Sequence, residues 1–251
     1  MRTVTISATV LTACLLLSTS AAQAAEIRVL CSNGVKAAVE ELGPQFERAS
    51  GNTLVVEFST AATLAQRIKS GEAFDVAILT DQTVDDLIKS GALTSSTRAE
   101  LARVGIGVGF RKGAATPDVR TSAAIKQTIL NAKSIAYTGD GASRPFIDKM
   151  FAGLGVAPQV QSKAHLTAAG QAPTSVAKGE SELVITLISE ILPEPGVELA
   201  GPLPTEFQSY LGFAAAPAAR TAKAAAAQAL ITFLDGSAAA ATYKAKGMEP
   251  Q

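Results

Sequence analysis

The sequence predicts an α/β fold built on a parallel sheet, and three observations carry the prediction. Short apolar runs alternate with segments of helical periodicity, the rhythm of strand–helix–strand units. Hydroxyl residues stand at three successive strand-to-helix junctions, Ser32, Ser59 and Thr80, the edge at which open α/β sheets take ligands. Arg103-Val-Gly-Ile-Gly-Val-Gly-Phe-Arg111 places glycine at every second position. That pattern leaves an extended strand with one bare face, read here as a crossover into a second lobe.

The elements follow in order. Ile27-Arg-Val-Leu-Cys31 is a buried strand, and Val35, Ala38, Val39, Leu42 and Phe46 mark the inward face of the helix after it. Pro44 is expected to bend that helix or close it early. Thr53 to Ser59 is the second strand, Thr63 to Ser70 the next helix, and Asp75 to Leu79 the third strand. Asp81 or Thr83 can cap the helix that buries Val84, Leu87 and Ile88. Beyond the crossover, Thr121 to Asn131 reads as a helix and Ser134 to Tyr137 as a strand. Phe146, Ile147, Met150, Phe151 and Leu154 give a further helical face, and Val160 is expected to begin a short strand. Pro173 to Lys178 is a brief helix and Glu182 to Thr186 a buried strand. Val197 to Ala200 and Ser209 to Ala214 are two more strands, one of which returns the chain to the first lobe. The alanine-rich stretches Thr221 to Leu234 and Ala238 to Lys246 close the chain as helices.

Phe58 to Thr80 is the most informative stretch. A strand ends at Ser59, a hydroxyl-rich turn follows, and the N-terminus of the next helix has Ser59, Thr60 and Thr63 around it. Free N–H groups and the helix dipole make such a place attractive to an anion. Binding chemistry is therefore expected before catalysis.

The N-terminus carries an export pattern. Met1-Arg2 is followed by the apolar run Val4 to Leu17, then by small residues with Ala22 and Ala24 in an A-x-A arrangement. Cleavage is expected after Ala24, leaving about 227 residues. The apolar run is shorter than the roughly 20 residues a bilayer span needs. Leu11-Thr-Ala-Cys14 also fits a lipoprotein cleavage box, but Leu15 to Leu17 continue the run beyond that cysteine. The chain is thus expected in the periplasm, with lipidation at Cys14 as the competing reading. Only Cys31 remains after the cut, so no internal disulfide is possible. The formal charge is zero for the whole chain and there is no Trp or basic run, which disfavours nucleic-acid binding.

Taken together, the opening Val29-Leu-Cys-Ser-Asn-Gly34, the Ser59–Thr80 stretch and the closing Phe233-Leu-Asp-Gly-Ser-Ala-Ala-Ala240 resemble the molybdate-binding branch of periplasmic solute-binding proteins. Glu180 to Pro193 is similar to a subgroup associated with ABC importers. The resemblance covers essentially the whole chain after the export segment. It implies the type II periplasmic-binding-protein fold: two lobes, each a mostly parallel sheet flanked by helices, hinged by two crossing strands. Residues 25–104 would form the first part of lobe 1, 105–205 lobe 2, and 206–251 the return to lobe 1. It further implies a small anion held by neutral donors, a membrane permease as partner, a monomer, and no cofactor, metal or catalytic residue. Carried onto this chain, the ligand set is Ser32, Asn33, Ser59, Thr60, Ala61, Ala142, Ser143, Arg144 and Thr186.

Three departures from the family shape the expected ligand. Ala61 and Ala62 stand where molybdate binders carry more serine, and Ile185-Thr-Leu-Ile188 lacks the family's tyrosine. Arg144 brings a guanidinium that suits a carboxylate bidentately. An organic carboxylate is therefore expected over molybdate, with molybdate or tungstate as the alternative. A sensory protein signalling to a membrane kinase is a second alternative, and a secreted hydrolase a third. Hydrolysis lacks its usual apparatus: His165 is the sole histidine and is expected in a loop after a short strand, and GxSxG, HExxH and phosphate-loop patterns are absent. Asp75, Asp81, Asp85 and Asp86 read as a strand start, a cap and an exposed helix face rather than a metal site.

Overall fold

The computed structural model describes residues 24–251. The expected export segment up to Gln23, with Cys14 in it, lies outside the described residues. The chain opens with β1 (Glu26–Ser32), a 3₁₀ turn (Asn33–Val35) and α1 (Lys36–Ser50). It continues through β2 (Thr53–Ser59), α2 (Ala61–Lys69), β3 (Val76–Thr80), α3 (Asp81–Lys89) and the long strand β4 (Ala99–Arg111). Then come α4 (Ser122–Asn131), β5 (Ile135–Thr138), α5 (Arg144–Gly153), α6 (Ala157–Gln161), β6 (Ala164–Thr167) and α7 (Ala172–Ala177). The last elements are β7 (Leu183–Leu187), α8 (Ile188–Ile191), β8 (Val197–Pro202), β9 (Tyr210–Pro217), α9 (Ala224–Leu234), α10 (Ser237–Ala245) and β10 (Glu249–Pro250).

The strands join in the order β2-β1-β3-β9-β4-β7-β5-β6, with β8 and β10 also paired to β4. The outer ranks, β2-β1-β3 and β7-β5-β6, are parallel. Through the middle the sheet is mixed, because β9 and β4 run antiparallel to their neighbours. Strand β4 belongs to both lobes. Ala99 to Gly105 pair with β9, whereas Ile106 to Phe110 pair with β7. The alternate glycines serve close packing here. A Cβ on Gly107 would stand 2.9 Å from Ile188, and one on Gly109 2.7 Å from Val184.

Side-chain alternation along β1 and β3 places helices on both faces. Val29, Cys31, Val76 and Ile78 pack with Val39, Leu42 and Phe46 of α1 and with Leu230 and Ile231 of α9. Leu30, Ala77 and Leu79 face the other way, onto Leu64 and Ile68 of α2 and Val84 and Leu87 of α3. Full burial of each large side chain contributes about 1.5–3 kcal/mol. Phe46 and Phe233 meet edge to face at 5.6 Å and tie α1 to α9.

Three expectations are corrected. Pro44 lies inside α1, and the helix runs on to Ser50 because Leu42 and Phe46 bury on either side of it. Val160 belongs to α6, and the short strand begins later, at Ala164. His165 is in that strand rather than a loop, with its Nδ1 2.8 Å from the Ser181 hydroxyl. Among the described residues no single helix is long and apolar enough to cross a membrane.

Candidate functional site

The strand ends of both lobes converge on one small cavity. From the first lobe come Ser32, Asn33 and Gly34 after β1, and Thr60 and Ala61 at the start of α2. From the second come Thr138, Gly141, Ala142 and Ser143 after β5, Gly170 before α7, and Thr186, Leu187 and Glu190 around the β7–α8 junction. The space left between them is about 20 Å³, close to what one water needs.

Each hydroxyl reaches the cavity through its local structure. Ser32 ends β1 in extended conformation, and its side chain caps no N–H of the turn that follows. Thr60 is the N-cap of α2: its Oγ1 accepts from the Thr63 N–H at 3.1 Å. Ser143 precedes α5 without capping it. All three are buried, as are Thr138 and Thr186. Buried hydroxyls and N–H groups around one cavity form a neutral donor set for an anion.

The lobes also bond each other directly. Thr60 Oγ1 donates to Asp140 Oδ2 at 2.7 Å, and Thr63 Oγ1 donates to the same oxygen at 3.0 Å. Ser189 Oγ donates to the Gly34 carbonyl at 2.6 Å. Gly34 is in close contact with both lobes. A Cβ there would lie 2.3 Å from the Phe213 ring and 2.8 Å from Leu187.

The expected ligand residues divide into two groups. Ser32, Asn33, Thr60, Ala61, Ala142, Ser143 and Thr186 come together in the cavity wall. Ser59 and Arg144 do not. Ser59 pairs with Ser32 in the β1–β2 ladder, outside the wall. The Arg144 guanidinium turns along its own helix, with Nε 2.7 Å from Asp148 and its carbon 4.8 Å from the Tyr137 ring centre. Burial, the largest influence on the Tyr137 hydroxyl, pushes its pKa up.

Glu190 was not among the residues expected from the sequence. Thr186 Oγ1, near the end of β7, donates to its carboxylate in the first turn of α8. Burial pushes its pKa up, more than the Thr186 hydroxyl and the Leu187 N–H pull it down. Its sequence signal was faint: one acid in the apolar run Leu187-Ile-Ser-Glu-Ile-Leu192. Glu190 also lines a larger groove of about 430 Å³, together with Asn33, Lys36, Gly170 and Gln171. The groove and the cavity thus share Asn33, Gly170 and Glu190 as a common wall. Cys31, fully buried beneath the site, is held as a thiol because burial raises its pKa well above the usual value.

Two α/β lobes closing on a hydroxyl-lined cavity define a solute-binding clamp. The chain belongs to the bacterial extracellular solute-binding protein family, whose sequence model matches residues 27–249. It is 28% identical over 230 residues to the aconitate isomerase of a Pseudomonas species, covering 89% of this chain and 87% of that one. It is 26% identical over 232 residues to the molybdate-binding protein ModA of Azotobacter vinelandii, covering 90% and 91%. The solved periplasmic molybdate-binding protein of Azotobacter vinelandii superposes with a TM-score of 0.74 at 19% identity, over 88% of this chain and 98% of that one.

Proposed function

We propose that this chain is an extracytoplasmic solute-binding protein of an ABC-type uptake system. It takes a small organic carboxylate into the inter-lobe cleft and presents the closed form to a membrane permease. The observation that carries the reading is the cradle of buried hydroxyls contributed by both lobes. Ser32, Asn33, Thr60, Ala61, Ala142, Ser143 and Thr186 are its contacts. The closed cavity is too small for an anion of several heavy atoms, so entry requires the lobes to part by a hinge motion.

The groove beyond Glu190 favours a carboxylate over a tetrahedral oxyanion. An oxyanion would use the cradle alone. A polycarboxylate would place one carboxylate in the cradle and the remainder in the groove, where Lys36 and Gln171 stand beside the acids Glu40 and Glu194. The name of the Pseudomonas relative, which concerns aconitate, supports this choice. The name of the Azotobacter relative supports molybdate as the alternative.

A thermal-shift screen of protein unfolded and refolded to strip carried-over ligand tests the reading. The panel holds mono-, di- and tricarboxylates beside molybdate, tungstate, sulfate and phosphate. A ligand at 100 times its dissociation constant adds about 2.7 kcal/mol. A shift with molybdate alone would replace the carboxylate, and no shift at all would remove the anion reading. The isomerase relative and the acid in the cleft support a second, catalytic reading. Proton NMR of trans-aconitate incubated with the protein separates the two, because binding alone leaves the spectrum free of the cis isomer.

A further inference from the structure

We infer that this protein binds its anion together with one proton held on Glu190, so that this residue sets both anion selectivity and the pH range of binding. The inference rests on the anion-binding reading of the cleft. It stands on position: Glu190 is the one ionisable side chain in the cavity wall among the described residues, and the rest of the wall is hydroxyl, amide, backbone and methyl. An ionised carboxylate there would face the incoming anion at close range across the cavity wall, where holding two like charges together is unfavourable. With its proton on, the same group turns from a repelling acceptor into one more neutral donor. The cradle then consists of donors throughout.

Among the described residues no cation is bonded to Glu190. Its bonded partners, the Thr186 hydroxyl and the Leu187 N–H, are neutral. On the groove side, Lys36 of α1 pairs with Glu40 at 3.6 Å, and Glu194 accepts from the Thr174 hydroxyl at 2.7 Å. Strand β7 and the 3₁₀ turn carry no charged residue. On β4, Glu100 and Arg103 are engaged by Arg98 and Glu249, and Arg111 lies at the far end. Glu198 of β8 pairs beside Phe110, near that same end. Burial already raises the carboxyl's pKa before any ligand arrives, and an adjacent anion raises it further.

The balance is simple: ionised Glu190, the anion and one solvent proton give protonated Glu190 with the anion bound. Below the pKa of the free protein the proton is already present and affinity is flat. Between the free and bound values, affinity falls about tenfold for each pH unit gained.

Titration calorimetry of the ligand-stripped full chain tests this with molybdate and trans-aconitate, in imidazole and Tris buffers between about pH 6 and about pH 9. Molybdate carries no proton there and trans-aconitate is fully ionised from about pH 7.5 upward, so for molybdate throughout, and for trans-aconitate above that pH, any proton taken up enters the protein. The wild type is expected to take up a proton on binding, approaching about one per anion, with affinity falling as pH rises. Glu190→Gln keeps a donor and cannot titrate, so it is expected to bind without uptake and with a flat profile. Wild-type binding with no proton uptake and a flat profile overturns the inference alone, as does a Glu190→Gln variant that keeps the wild-type dependence. Failure of the wild type to bind either probe overturns the anion reading and this inference with it. The wild-type measurement decides the matter even if the variant does not fold.

Discussion

Thr60 and Asp140 are joined across the cleft: the hydroxyl that caps α2 donates to a carboxylate of the opposite lobe at 2.7 Å. Thr63 reinforces the contact from the first turn of α2. The carboxylate thus engages hydroxyls at the N-terminus of α2, a place that attracts negative charge, and helps hold the clamp shut. Asp140 is exposed, so the tie is worth only about 1 kcal/mol, roughly a fivefold bias toward closure. Asp140→Ala is expected to enlarge the radius of gyration of the ligand-free protein in small-angle scattering. An unchanged radius would mean that other contacts hold the lobes.

Ser32 and Thr60 differ in what their hydroxyls do without ligand, and the difference is measurable. Ser32 caps nothing, so Ser32→Ala is expected to weaken anion binding about tenfold with little change in melting temperature. Thr60 caps α2, so Thr60→Ala is expected to lose affinity and about 1 kcal/mol of stability as well. Calorimetry and thermal melts on the two variants separate ligand contact from helix cap.

Gly34→Ala places a methyl against Phe213 of β9 and Leu187 of β7 at once. Overpacking of this kind costs about 1–3 kcal/mol. Because the two neighbours belong to different lobes, the expected result is a lower melting temperature together with weaker ligand binding. A variant that melts earlier but binds normally would place the strain in one lobe only.

Asp75 predicts an acid-sensitive contribution to stability. Its carboxylate accepts from the Arg28 N–H at 2.8 Å, the Thr221 hydroxyl at 2.6 Å and Lys223 Nζ at 3.0 Å. Burial, the largest single influence, pushes the pKa up, but the three donors together hold it below the ordinary value. A depressed native pKa stabilises above the unfolded value, near about 3.9, and the gain is lost as pH falls through the native one. Asp75→Asn is expected to cost about 2 kcal/mol in urea unfolding at neutral pH, with the gap closing below about pH 4. A gap independent of pH would assign the loss to packing.

Arg144→Ala is expected to leave anion affinity within about twofold of wild type. The reason is the side chain's engagement with Asp148 and Tyr137, away from the cavity wall. A calorimetric loss of about tenfold would instead mean that the guanidinium swings into the cleft when ligand arrives.

The parts of the site that were legible in the sequence are those fixed by neighbours in the chain. Ser32 and Thr60 follow from strands that end and helices that begin, and Gly105, Gly107 and Gly109 marked the crossover by their spacing. Thr138, Gly170 and Glu190 were illegible because they reach the cavity only once β5, α7 and β7 are stacked in the second lobe. Arg144 misled for the complementary reason. Its distance from the cleft in sequence was right, but its i,i+4 partner Asp148 satisfies it on its own helix. Val160 misled because an apolar residue in a short run fits a strand or a buried helix equally well.

Strand β4 has one more implication. Since its first residues are hydrogen-bonded into one sheet and its last into the other, neither lobe can shed its central rank without stripping an edge from its companion. The clamp has two jaws but a single cooperative unit of unfolding, and its denaturation is expected to be all-or-none. A hinge made from a continuous strand bends without becoming the place where the molecule comes apart.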